Sequence, residues 1–402
     1  MPARRRETDG VTCRSLARSQ VLAPPPCLGP AGSADPRGVG GAAPERATGK
    51  NAPMRAVLIQ RFADAPIVAD VPEPSLLEGG VILQVRSTGL CRSDWHGWQG
   101  HDPEITLPHV PGHELAATIA EVDSSVRGWH PGQRVIVPFI CACGNCEQCR
   151  EGNQQVCTRQ LQPGFNYWGS FAEYVAIPYA EVNLVALPDE ISFDSAAALG
   201  CRFATAYRAV TAVGNVRPGE WLAVFGCGGV GLSVIMIAAA AGARVIAVDT
   251  NPAALSMATR HGAQYTMLTG AGASSGTDIA EQIRQLTGGG AAVTMDAIGA
   301  ESVVQTALAA LKPRGRHVQL GLLPDRLQLD LSFLAFRELS WLGSHGMAAH
   351  DYPAMLDLVR SGAVRPDELV TGVIGLDEVG PALAAMTDGA PAGITVIHPG
   401  AS

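Results

Sequence analysis

From residue 54 onward the chain is a series of short apolar runs separated by turns, and the form of those runs changes part-way along. Residues 54–60 make a compact apolar run, and 80–86 alternate apolar and polar side chains with the period of a half-buried strand. Short strands and turns continue to about residue 177, including 134–139 and 170–177, with few helical stretches between them. This predicts an all-β region. Helical periodicity begins near 192–199, with Asp194 in the first turn.

The pattern then alternates. Strands are expected at 221–225, 244–249, 293–297 and 317–321, and helices at 230–241, 252–261 and 301–311. Pro252 suits the start of its helix, where its missing N–H costs nothing. Strands alternating with helices imply βαβ units and a parallel sheet. A helix at 352–361 and a strand at 393–398 close the chain. The apolar run 230–248 is broken by Gly242 and Arg244. It reads as a buried helix followed by a buried strand, since a membrane span needs ~20 unbroken apolar residues.

Residues 1–53 differ from the rest. They are rich in Arg, Pro, Ala and Gly, contain Pro24-Pro25-Pro26, and show no periodicity. They cannot bury enough surface to order themselves. A disordered extension is expected, with Met54 as the working start or a targeting segment as the alternatives. Eight Arg/Lys stand against four Asp/Glu here, so the net charge of −8 becomes −12 for the remainder. That balance argues against nucleic acid or an anionic membrane as a partner. The 402 residues leave room for two domains, and 47% hydrophobic content can fill their cores.

The ten cysteines carry more information. Cys143, Cys146, Cys149 and Cys157 read C-x2-C-x2-C-x7-C. Four thiolates at such spacing close a tetrahedral zinc site that leaves no position open for chemistry. A disulfide pair or a zinc-ribbon module are the competing readings. Cys141, two residues earlier, is left unassigned. Cys91, His113 and Cys201 are dispersed and of mixed type, and such a set leaves a fourth position free. Bound thiolates need a reducing compartment, so a cytoplasmic location is expected.

Gly226-Cys227-Gly228-Gly229-Val230-Gly231 fits G-x-G-x-x-G between an expected strand and an expected helix. Asp249 ends the next strand, 18 residues past Gly231. Glycines there let a pyrophosphate approach the helix N-terminus. Asp249 would accept from ribose hydroxyls and repel a 2′-phosphate, favouring NAD over NADP.

The stretches Gly89-Leu90-Cys91-Arg92-Ser93-Asp94-Trp95-His96, Pro111-Gly112-His113-Glu114 and Gly200-Cys201-x-Phe203-x-Thr205 together resemble the zinc-containing medium-chain alcohol dehydrogenases. The resemblance runs from Met54 to about Pro399. It implies a mixed α/β fold: a GroES-like β-rich catalytic domain, 54–203 plus 345–402, and a Rossmann domain with a doubly wound parallel sheet, 204–344. It implies one catalytic zinc on Cys91, His113 and Cys201 and one structural zinc. Zinc would polarise the substrate oxygen, and Ser93 and His96 would carry the proton to solvent. Asp94 would orient His113, and Glu114 would approach the metal. Arg92 would pair with the cofactor pyrophosphate, near Thr205, while Ile298, Leu320 and Leu322 would lie along the nicotinamide. Trp98, Phe139 and Trp168 would line the substrate pocket.

Two departures stand out. The basic residue that the family often carries in its last strand is replaced by Ile394. The connection from Cys157 to Cys201 is short, which favours a tetramer over a dimer. The expected activity is reversible hydride transfer between a small or medium alcohol and an aldehyde or ketone. A polyol or formaldehyde-type dehydrogenase on the same scaffold is the alternative, and a non-catalytic zinc and dinucleotide redox sensor stands behind it.

Overall fold

The structure is a computed structural model, and it describes residues 53–270, 275–323, 326–329, 332–387, 389 and 392–400. The expectations for 1–52, including Cys13 and Cys27, lie outside the described residues.

The strands Pro53–Leu58 and Ile67–Pro72 pair antiparallel as a two-stranded ribbon. The strand Val81–Leu90 is the spine of a larger sheet of seven strands. It pairs antiparallel with Glu114–Val122, Tyr174–Ile177 and Ile394–Ile397. Arg134–Ile136 and Val185–Ala186 extend one side, and Val370–Ile374 lies outside Ile394–Ile397 on the other. Residues near 81–186 and 370–397 therefore share one sheet, although more than 180 residues separate them in sequence. Val81, Leu83 and Val85 bury one face, which is the alternation visible in the sequence.

The β-rich region holds the few helical stretches expected of it, Arg92–Trp98 and Glu147–Arg150 with the 3-10 turn Gln154–Val156. Arg92–Trp98 is a short helix, opened by Cys91 with the Asp94 carboxylate accepting from the Cys91 backbone N–H at 2.9 Å. A carboxylate three residues into a helix satisfies a donor that would otherwise be orphaned.

The second sheet has six strands, all parallel: Ala263–Leu268, Arg244–Asp249, Trp221–Phe225, Ala291–Asp296, Leu311–Gln319 and Ser340–Gly343 in spatial order. Ala291–Asp296 is buried throughout, as expected for a central strand covered on both faces. The chain winds outward from Trp221–Phe225 in one direction and then restarts beside it with Ala291–Asp296. The carboxyl ends of those two strands flank the point where ligands bind in doubly wound sheets. The apolar run 230–248 is a helix, Gly229–Ala240, followed by the strand Arg244–Asp249. Among the described residues no helix is long and apolar enough to cross a membrane.

A run of helical turns over 193–213 connects the two sheets. It begins after Ser192, whose hydroxyl accepts from the Ser195 backbone N–H at 3.1 Å. Its first part packs on Val81–Leu90 and Glu114–Val122, and its Ala204–Arg208 part packs on Gly229–Ala240. Between them, Leu199–Phe203 widens into a π-turn, a feature that often marks functional sites.

Candidate zinc and dinucleotide site

The dispersed ligand set converges from three elements. Cys91 follows the strand Val81–Leu90, His113 precedes Glu114–Val122, and Cys201 sits in the π-turn. Donor atoms of Cys91, His113, Cys201 and Glu114 all lie within 4.8 Å of one another. His113 is buried. Its Nδ1 faces Asp94 Oδ1 at 3.0 Å, and its Nε2 is buried with no hydrogen-bond partner. A buried orphan nitrogen is costly unless something binds it. Here it points at two thiols, so the donor set fits a zinc ion, with Asp94 fixing the tautomer from behind. Burial alone would lower the His113 pKa, but the charge and hydrogen bond of Asp94 carry it well above the usual value.

Glu114 reaches the same space but is already engaged. Its Oε1 accepts from the Arg202 backbone N–H at 2.9 Å and from Arg202 Nε at 3.0 Å, and its Oε2 accepts from Arg202 Nη2. Burial raises the Glu114 pKa, and the guanidinium limits the rise. The same contact holds Arg202 above its ordinary pKa despite burial.

Ser93 Oγ lies 3.7 Å from Cys91 Sγ, beside the ligand cluster. His96 is on the outer face of the short helix, and its Nδ1 is 2.9 Å from Nδ1 of His101. Burial, then the positive charges of Arg92 and His101, lower the His96 pKa, which favours a neutral imidazole at pH 7. Sequence reasoning passed over His101, which stands at the solvent end of this path. Arg92 stacks over Trp95, 3.7 Å from the ring centroid, and its Nη1 donates to the Met386 carbonyl.

Cys143, Cys146, Cys149 and Cys157 gather in a separate lobe with their sulfurs within 4.8 Å. Cys141 is not among them. It faces Tyr167 Oη at 3.8 Å, and burial pushes its thiol up to about 12.

At the turn after Trp221–Phe225, Gly226 has φ +91°, a region open to glycine. A Cβ at Gly231 would meet the Gly226 carbonyl oxygen at 1.7 Å, so the helix starts tightly against the turn. The Asp249 carboxylate accepts from the Cys227 N–H at 2.6 Å and the Asn251 N–H at 2.7 Å, bracing the turn from the next strand. Gly228 lies exposed before the helix, Gly229 and Val230 are half-buried at its first turn, and Thr205 lies on the connecting helix Ala204–Arg208, which packs against that helix. Ile298 and Leu322 are 51% and 82% exposed, large apolar side chains left uncovered near this turn, whereas Leu320 packs against the core. Asp296, missed in the sequence, organises these loops. Its carboxylate accepts from the backbone N–H groups of Ile298 and Gly299 and from Gln319. A carboxylate ending an otherwise apolar strand was the available signal.

Of the three aromatics expected at the pocket, Phe139 is the one whose ring meets His113, at 6.1 Å between centroids. Phe165, at 5.2 Å from His113, and His345, packed on Phe139, join it. Trp98 is 6% exposed, packs in the core beneath the ribbon and donates to the Asp64 carbonyl. Trp168 leans on that same core and donates to the Pro108 carbonyl. Trp98 is thus part of the core, and Trp168 lies half-buried beside it.

Comparison with known proteins agrees with this geometry. Residues 77–189 match the alcohol dehydrogenase GroES-like domain, and 229–361 match the zinc-binding dehydrogenase domain. The chain is 30% identical to an alcohol dehydrogenase of Geobacillus stearothermophilus over 314 residues, 78% of this chain and 90% of that one. This chain belongs to the zinc-containing medium-chain dehydrogenase/reductase family. A probable D-xylulose reductase A of Aspergillus clavatus is 33% identical, over 79% of this chain and 88% of its own. The solved alcohol dehydrogenase of Thermus sp. ATN1 superposes with a TM-score of 0.76 at 28% identity, covering 86% of this chain and 99% of that one. As a family member the protein is a zinc-binding oxidoreductase of the alcohol dehydrogenase type, with the mixed α/β architecture of a GroES-like unit and a Rossmann-like sheet.

Proposed function

We propose that this protein oxidises small or medium alcohols with NAD+, and reduces the matching carbonyls with NADH, at a zinc ion held by Cys91, His113 and Cys201. The observation that carries this reading is the orphan Nε2 of His113, aimed at two thiols, one of which, Cys201, sits on an element that also packs against the dinucleotide helix. The zinc supplies Lewis acidity toward the substrate oxygen when bound. The rest is done by this chain. Ser93, beside Cys91, takes the proton released from the alcohol, and His96 with His101 passes it to solvent. Asp94 holds His113 in the tautomer that leaves Nε2 free. Asp249 would hold the adenine-side ribose and disfavour a 2′-phosphate, while the exposed Ile298 and Leu322 would bury surface against the nicotinamide.

The catalytic unit is taken as 54–203 with 345–402, and the dinucleotide unit as 204–344. Four buried thiol ligands suit a reducing cytoplasm, and a homotetramer is the expected assembly. Phe139 and Phe165 beside His113 favour apolar substrates over polyols, because apolar rings leave polyol hydroxyls unpaired. NAD+ reduction with primary, secondary and polyhydroxy alcohols tests this. Turnover on simple alcohols, lost on chelation, is expected. Turnover confined to polyols would overturn the substrate assignment, and turnover with none would overturn the activity.

A further inference from the structure

Arg202 directly follows the ligand Cys201, and the reactions above leave it without a task. Its side chain is buried, with 7% of its surface exposed, and one edge of the guanidinium is fixed by Glu114. A buried cation requires a partner, and the carboxylate provides one. The carboxylate uses only Nε and Nη2. Among the described residues Nη1 bonds to nothing.

The direction of Nη1 can be read from the glycines around it. A Cβ built on Gly229 would stand 2.6 Å from Arg202 Cδ and 3.3 Å from Nη1. The free edge of the guanidinium therefore lies over the first residue of the helix Gly229–Ala240. That helix has twelve residues, and its N-cap Gly228 provides no side-chain cap, so its first N–H groups are open to an anion. On the opposite side a Cβ on Gly89 would meet Glu114 Oε2 at 2.3 Å and Arg202 Nη2 at 2.9 Å. Glycine at 89 thus makes room for the ion pair.

Two other positions bear on this place, Arg92 and residue 394 of the last strand. Arg92 stacks on Trp95 and donates through Nη1 to the Met386 carbonyl, with its remaining donors still open to a phosphate. Ile394 in the last strand is fully buried in the apolar core. We propose that Arg202 is a cofactor-phosphate ligand: braced by Glu114, it completes an anion site for the dinucleotide pyrophosphate with the uncapped N-terminus of the helix Gly229–Ala240. The ligand class is a diphosphate bridging two ribosides, and the inference rests on the dinucleotide use proposed above. A guanidinium can serve both anions because its fork offers two separate edges, whereas an ammonium is a single point charge.

Equilibrium binding to the zinc-loaded protein tests this without turnover. ADP-ribose carries the pyrophosphate and adenosine does not. The double variant Arg202→Met with Glu114→Gln removes the cation without stranding a buried carboxylate. Its ADP-ribose dissociation constant is expected to rise about tenfold or more, with adenosine affinity unchanged. The salt dependence of ADP-ribose binding should also weaken, since one phosphate contact is gone. Arg202→Lys, which keeps a charge beside Glu114, gives an independent reading. It should also bind ADP-ribose more weakly than wild type, by a smaller factor. An unchanged ADP-ribose affinity in the double variant would overturn the inference while leaving the dehydrogenase reading intact. Equal losses for ADP-ribose and adenosine would also overturn it, by showing a general disturbance of the turn. Failure of the wild-type protein to bind ADP-ribose or NADH would overturn both readings.

Discussion

His96 shows how a single residue acquires a role from its surroundings. An isolated imidazole titrates near pH 6.5, but partial burial and the cations Arg92 and His101 move this one lower. A proton acceptor works in its neutral form. It fails as pH falls through its own pKa, so the acid limb of kcat/KM for alcohol oxidation should lie below the ordinary imidazole value. His96→Gln should remove that limb and cost on the order of 10²-fold in rate at neutral pH. A pH profile of wild type and variant checks this, and an identical acid limb in both would assign it to another group. Much at this scale was legible in the sequence. Cys91, His113 and Cys201 were identifiable because mixed Cys/His ligands have few alternative uses. Arg202 and His101 were not, because a surface-type residue shows its value only when folding decides which carboxylate or imidazole it meets.

At the scale of elements, the parallel strands were readable because each is a short apolar run bounded by turns. The strand Ala263–Leu268 was not read, since four of its residues are exposed and its composition is mixed. The helix Gly276–Thr287 was passed over as well, although Ser275 and Asp278 form a capping box at its start and Gly288 ends it in a left-handed conformation. The cysteine lobe was readable in full. Its sulfurs sit in loops with little secondary structure, and its buried apolar contacts are largely the cysteines themselves. A loop of that kind depends on its metal for order. Cys146→Ser should therefore release one zinc per chain and abolish hydrogen-exchange protection over residues 143–157, while NADH still binds at the separate glycine turn. Metal analysis with peptide-resolved exchange checks this. Retained protection in a protein that has lost that zinc would show that the lobe is held by packing.

For the whole molecule, the decisive feature is that elements distant in sequence share one sheet while a run of helical turns, 193–213, leads from that sheet to the parallel one. Cys201 and Arg202 sit on this connection, so one of the proposed metal ligands is placed by the same element that packs on the dinucleotide helix. That juxtaposition was beyond sequence patterning, because periodicity reports burial and not which sheet a helix bridges. It is also why metal and activity should be lost together. The most direct test compares zinc content and NADH formation from a simple alcohol in wild type and His113→Ala. About two zinc ions per chain with turnover in wild type, against about one and none in the variant, is the predicted result. A variant that keeps both its second zinc and its turnover would contradict the assignment of His113, Cys91 and Cys201 as the working metal site.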